Sequence, residues 1–130
     1  MIIVTGAAGF IGSCLVGRLN QAGFSDVVVV DDFTKTEKDS NLKDKSIAER
    51  VERNQFENWL QNQTEKVDVV FHIGARTDTT EFDKNIFDEL NLNYTKMLWN
   101  YCSNHCVALI YAISAATYGL GDIGYEDNHE

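Results

Sequence analysis

At 130 residues, 44% of them hydrophobic, the chain has the length and apolar content for one domain with a packed core. A formal net charge of −9 argues against nucleic acid, which calls for a basic face, but an anionic cofactor held by backbone dipoles is compatible with it. No run of about 18 apolar residues occurs, so no membrane span is expected, and Met1 opens directly into a strand pattern that leaves no room for a signal peptide.

Ile2 to Thr5 is a short apolar run that predicts a strand. Gly6-Ala7-Ala8-Gly9-Phe10-Ile11-Gly12 follows, then Ile11, Leu15, Leu19 and Ala22 at helical spacing, closed by Gly23. Val27 to Val30 predicts a second buried strand, ending in Asp31-Asp32. The whole is one βαβ unit. Each glycine has a task if the ligand is a dinucleotide: Gly6 for the tight turn, Gly9 for close approach of a pyrophosphate, Gly12 for packing of helix on strand. The helix start offers unpaired N–H groups and the positive end of its dipole to the phosphates. Asp31 stands 19 positions beyond Gly12, near the offset of about 20 at which an acid meets the adenosine ribose hydroxyls.

Phe33 to Arg53 is mostly polar, and Ile47-Ala48 is the expected remnant of a third strand at the sheet edge. Lys35 and Lys38 follow the acid closely and have the reach for an adenosine 2′-phosphate, which would favour NADP; the competing reading is a solvated loop with ordinary lysines, which weighs more for Lys35 than for Lys38. Residues 54–63 predict a short helix with Phe56, Trp59 and Leu60 on one face. Val67 to Ala75 predicts a fourth strand running into small residues that leave space for a cofactor, with His72 as a core histidine. Arg76 to Glu81 is a polar turn at that strand's carboxyl end, where open α/β sheets bind ligands.

Residues 83–104 carry Ile86, Phe87, Leu90, Tyr94, Met97, Leu98, Tyr101 and Cys102 at three-to-four spacing, a long amphipathic helix whose apolar face reads as core. Val107 to Ile113 predicts a fifth strand, followed by Ser114 to Gly119. Cys102, His105 and Cys106 lack a fourth ligand at metal spacing, so the three cysteines, Cys14, Cys102 and Cys106, read as buried or half-buried thiols in a reducing cytoplasm.

Four stretches carry a resemblance: Thr5-Gly6-x-x-Gly9-Phe10-Ile11-Gly12, Asp68-x-Val70-x-His72-x-x-Ala75, Asn91-x-x-x-Thr95 and Ser114-x-x-x-Tyr118-Gly119. Together they resemble the extended branch of the short-chain dehydrogenase/reductase family, rich in nucleotide-sugar epimerases and dehydratases. Met1 to Gly6, Val30-Asp31-Asp32, Asn41-Leu42, Phe71-His72-x-Gly74-Ala75, the Thr79-Thr80-Glu81 turn and Ala115-Ala116-Thr117-Tyr118-Gly119 are most similar, within that branch, to the epimerases of heptose sugar nucleotides. The resemblance implies an α/β, Rossmann-type doubly wound parallel sheet of order 3-2-1-4-5, with residues 1–130 forming an NAD(P)-binding domain. It implies cofactor contacts at Gly6, Gly9, Phe10, Ile11, Gly12, Asp31, Asp32, Lys38 and Arg53, and further along at Ile73, Gly74, Ala75, Arg76, Thr77 and Asn91.

It also implies sugar contacts at Thr79 and Glu81, and a catalytic role for Ser114, whose hydroxyl orients the reacting sugar oxygen. The implied reaction is transient oxidation and re-reduction at C6 of the heptose. NADP is the expected cofactor, with NAD as the alternative, and the full-length protein is expected to be a cytoplasmic homo-oligomer acting on a nucleotide sugar. Ile73 and Arg76 depart from the residues usual in heptose epimerases. The family's Tyr-x-x-x-Lys pair is absent from these 130 residues. The expectation is therefore an amino-terminal part that does not turn substrate over alone, and whose uncharged fifth strand, left at the sheet edge, promotes self-association. A non-catalytic nucleotide-binding module, or a piece of a related 4-epimerase, dehydratase or reductase, are the competing readings.

Overall fold

A computed structural model describes residues 1–34, 36–74 and 92–113. Five strands form one sheet of order β3-β2-β1-β4-β5: β1 Ile2–Thr5, β2 Val27–Asp31, β3 Glu49–Glu52, β4 Val69–His72 and β5 Ala108–Tyr111. All neighbouring pairs are parallel. The expected doubly wound sheet is therefore present in its expected order. Helix α1 spans Phe10–Gln21, α2 spans Phe56–Gln61 and α3 spans Tyr94–His105, with a 3₁₀ segment over Thr36–Leu42. Among the described residues no helix is long and apolar enough to cross a membrane.

The central strands are buried on both faces, as parallel strands covered by helices must be. Ile3, Val28, Val30 and Val70 join Phe56, Leu60, Leu98 and Cys102 on the face covered by α2 and α3. Ile2, Val4, Val27 and Val29 join Val16 and Leu42 on the face covered by α1. The register sets Thr5 beside Val30 and His72, so the carboxyl ends of β1, β2 and β4 open at one edge.

Helix α1 closes as expected. Gly23 takes φ +92, its N–H reaches the Asn20 carbonyl, and the Phe24 N–H reaches that of Leu19, the paired bonds of a glycine-ended helix.

Three expectations are corrected. The third strand lies at Glu49–Glu52, not at Ile47-Ala48: Ile47 packs its side chain under the sheet, and only Val51 of β3 is buried. Ile11 and Ala22 do not lie on the buried face of α1, whose buried residues are Gly12, Ser13 and Val16. Of the thiols only Cys102 is buried; Cys14 and Cys106 are exposed. Of the long helix expected over 83–104, the described part is α3. Strand β5 stands at the edge of the described sheet, with Ile110, Tyr111 and Ile113 exposed.

Candidate dinucleotide site

The glycine turn leaves the carboxyl end of β1 under tight backbone constraint. Gly6 takes φ +67, a region L side chains rarely adopt, and a Cβ there would meet the Gly74 Cα at 2.5 Å. A Cβ on Gly74 would in turn meet the Gly6 nitrogen at 2.9 Å, so the small residue at the end of β4 is taken up by the turn. A Cβ on Gly12 would lie 2.1 Å from the Gly6 carbonyl oxygen and 2.8 Å from the Ala7 Cα, so the helix packs on the turn itself.

Gly9 is different. Its backbone is extended (φ −71, ψ 171), and an added Cβ would meet only the Gly6 oxygen, at 3.2 Å. Its N–H bonds the Gly6 carbonyl and its own carbonyl accepts from Ser13. The N–H groups of Phe10, Ile11 and Gly12 find no acceptor among the described residues, as the first turn of a helix requires. Phe10 and Ile11 are 82% and 66% exposed beside them.

Asp31 ends the adjoining strand with its carboxylate 7% exposed. One oxygen accepts the Ala8 N–H at 2.8 Å and the other the Asp32 N–H at 2.8 Å. The acid thus holds the glycine turn as well as facing the site. Lys38 Nζ lies 4.0 Å from Asp31, and an Arg53 guanidinium nitrogen 3.8 Å from Asp32. Asp32 also accepts from the Thr34 backbone at 3.2 Å and from the Thr34 hydroxyl. Two acids and two cations therefore line the end of β2. This turn, helix start and carboxylate fit a dinucleotide: free donors for a pyrophosphate, with an acid beyond them for a ribose.

Beneath the turn, Thr5 Oγ1 accepts the Gly74 N–H at 3.3 Å and lies 2.7 Å from His72 Nδ1. His72 Nε2 is 2.9 Å from Thr95 Oγ1. One ring nitrogen thus pairs with each threonine hydroxyl. The histidine is a buried brace between β1, β4 and α3, and burial pulls its pKa below 6.5. The unfolded chain therefore binds the proton more readily, and stability is full above about pH 6.5 and is lost as the pH falls from there toward the lower folded value. Chemical denaturation across pH 7 to 5 is expected to show this loss in the wild type, and a smaller one in His72→Phe; identical pH slopes would refute it.

Phe10, Ile11, Asp31, Asp32, Lys38 and Arg53 thus gather with the glycines at one sheet edge. Ile73 is half-buried, its N–H bonded to the Thr5 carbonyl. Lys35, Ala75, Arg76, Thr77, Thr79, Glu81, Asn91 and Ser114 lie outside the described residues. Two residues at this edge escape a reading by residue type. Asn41 donates its side-chain amide to the Ala8 carbonyl at 2.8 Å. Tyr94, read as core, has a buried hydroxyl without a hydrogen-bond partner among the described residues, and burial raises its pKa. Its ring lies 5.7 Å from that of His72 and 6.2 Å from that of Phe56. The Asn41-Leu42 pair is one of the stretches that carry the resemblance, and Tyr94 stands where the family's Asn-x-x-Gly-Thr stretch has glycine, but neither signal announces these contacts.

A match to the NAD dependent epimerase/dehydratase family spans residues 2–130, and the chain belongs to that family. Among curated proteins it is similar to the ADP-L-glycero-D-manno-heptose-6-epimerase of Fusobacterium nucleatum, 40% identical over 98% of this chain and 39% of that protein. The protein of the same name from Nitratidesulfovibrio vulgaris strain Hildenborough is 42% identical over 98% of this chain and 40% of its own length. The chain spans about two fifths of the length of these relatives.

Among solved structures, UDP-glucuronic acid 4-epimerase from Bacillus cereus in complex with NAD superposes with a TM-score of 0.71 at 27% identity, covering 91% of this chain and 41% of that one. The Helicobacter pylori ADP-L-glycero-D-manno-heptose-6-epimerase gives a TM-score of 0.73 at 24% identity, covering 98% and 45%, a likeness of fold.

Proposed function

We propose that this chain is the cofactor-binding part, as one domain over residues 1–130, of a sugar-nucleotide epimerase acting like the ADP-L-glycero-D-manno-heptose-6-epimerases, with NADP as cofactor. Gly9 carries the reading. Its backbone angles suit any residue, and an added Cβ would press on a single atom, the Gly6 carbonyl oxygen at 3.2 Å, a much lighter conflict than at Gly6 or Gly12; what a side chain there would obstruct is a ligand approaching the N–H groups of the first helical turn. The exposed Phe10 and Ile11 beside it gain cover from the same ligand. When bound, the nicotinamide supplies hydride removal and return at C6 of the heptose.

The chain's own part is to hold and orient. The helix start takes the pyrophosphate and Asp31 the ribose, while Gly74, Ala75, Arg76, Thr77, Ile73 and Asn91 border the rest of the cofactor. Thr79 and Glu81 contact the sugar, and Ser114 directs its hydroxyl at the reacting oxygen. Proton removal needs a stronger base than a serine. The family's Tyr-x-x-x-Lys pair, absent from these 130 residues, meets that need in the whole enzyme, so this chain alone binds cofactor without turnover. The whole protein is read as a cytoplasmic homo-oligomer serving lipopolysaccharide core synthesis.

Lys38 and Arg53 support NADP, because both are cations within 4.0 Å of the acids at the ribose end. The buried Asp31 favours NAD instead, since a carboxylate repels a 2′-phosphate, and this is the alternative. Titration decides. Lys38→Ala and Arg53→Ala are each expected to weaken NADP binding roughly three- to fivefold, the scale of one exposed charge contact, and to leave NAD unchanged. Tighter NAD than NADP in the wild type, with both variants neutral, would overturn the choice.

A further inference from the structure

We propose that Asn41 is a positioning residue for the phosphate-binding turn, an inference that rests on the dinucleotide reading above. Its side-chain amide donates to the Ala8 carbonyl at 2.8 Å, across 33 positions of sequence. The N–H of the same Ala8 donates to Asp31 at 2.8 Å. Ala8 is therefore gripped on both sides, by β2 through Asp31 and by the 3₁₀ segment through Asn41. The two peptide planes so fixed lead directly into Gly9, the residue that caps α1.

The grip has a rigid base. Leu42, the next residue, is 2% exposed in the core beneath α1, and Lys45 Nζ bonds the Asn41 carbonyl at 2.7 Å. Asn41 thus reaches the turn from an anchored point. Three positions earlier the same segment carries Lys38, 4.0 Å from Asp31.

Ala8 is 1% exposed but Asn41 lies at the surface, so truncating Asn41 opens its place to solvent and a water takes over the bond to the Ala8 carbonyl in the free protein. Cofactor binding depends on it more, because donors aimed at a pyrophosphate act through their preorganised direction. A pyrophosphate is common to NAD, NADP and ADP-ribose, and the grip on Ala8 serves all three. This separates Asn41 from Lys38, whose charge serves a 2′-phosphate alone.

The test is calorimetric titration of the wild-type chain, Asn41→Ala and Asn41→Asp with NAD, NADP and ADP-ribose, with the melting temperature of each free protein. Expected is a loss of about fivefold for NAD and ADP-ribose in Asn41→Ala, the weight of one neutral hydrogen bond, with the melting temperature unchanged. Asn41→Asp keeps the shape but has no donor and is expected to lose at least as much. Unchanged affinity for NAD and ADP-ribose in either variant overturns the proposal, even if NADP alone weakens. So does a loss of affinity accompanied by a matching fall in the free protein's melting temperature. If the wild-type chain binds none of the three, the dinucleotide reading fails and Asn41's role fails with it; a binding wild type with neutral variants removes Asn41 alone.

Discussion

Gly12→Ala is expected to destabilise the chain by about 3 kcal/mol, the upper part of the range for overpacking, and to lower its melting temperature by roughly 10 °C. One methyl group causes this because its neighbours are backbone. The added carbon would lie 2.1 Å from the Gly6 oxygen and 2.8 Å from both the Gly6 carbonyl carbon and the Ala7 Cα. No rotamer relieves such a contact. Either α1 lifts off the turn, uncovering Val16 and its neighbours in the core, or the turn shifts and drags Gly74 with it. Gly9→Ala provides the control, since its new carbon meets one atom at 3.2 Å. Thermal unfolding followed by circular dichroism reads both. A Gly12→Ala chain melting within a degree or two of the wild type would refute this account of the turn.

Gly9→Val is expected to do the reverse: to preserve the fold and abolish dinucleotide binding. The extended backbone at Gly9 suits a β-branched residue, and the new Cβ presses only on the Gly6 oxygen at 3.2 Å, so the cost to stability is about 1–2 kcal/mol, the lower part of the overpacking range. The valine would stand over the N–H groups of Phe10, Ile11 and Gly12, holding a pyrophosphate beyond hydrogen-bond distance. Losing several charge-assisted bonds at once corresponds to at least about a hundredfold in affinity. Parallel circular dichroism and cofactor titration measure the two halves. Retained affinity in a folded Gly9→Val chain removes the nucleotide assignment from this loop.

The central βαβ unit was legible because its signals are local. Four consecutive valines, preceded by a glycine pattern that opens a helix, suit few arrangements besides a buried parallel strand pair, and the order of the whole sheet came with the family resemblance. The phase of α1 was not legible. Helical spacing pointed Ile11 inward, whereas the backbone contact at Gly12 rotates the helix so that Gly12, Ser13 and Val16 face the sheet. That rotation also exposes Cys14. The third strand was hidden for a related reason: an edge strand with only Val51 buried has no apolar run to reveal it.

At the site, residue types were legible and their partners were not. Asp31 stood out by its distance from Gly12, but its bond to Ala8 depends on two strand ends meeting in space. The grip of Asn41 on the same residue depends on a segment whose only strong anchor is Leu42. His72 was readable as a core histidine, while the threonines on either side of its ring come from two other elements.

The most direct measurement is calorimetric titration of the wild-type 130-residue chain with NADP and with NAD. The account predicts a saturable isotherm with one dinucleotide per chain and tighter binding of NADP. No binding of either dinucleotide by a chain that circular dichroism shows to be folded would contradict it.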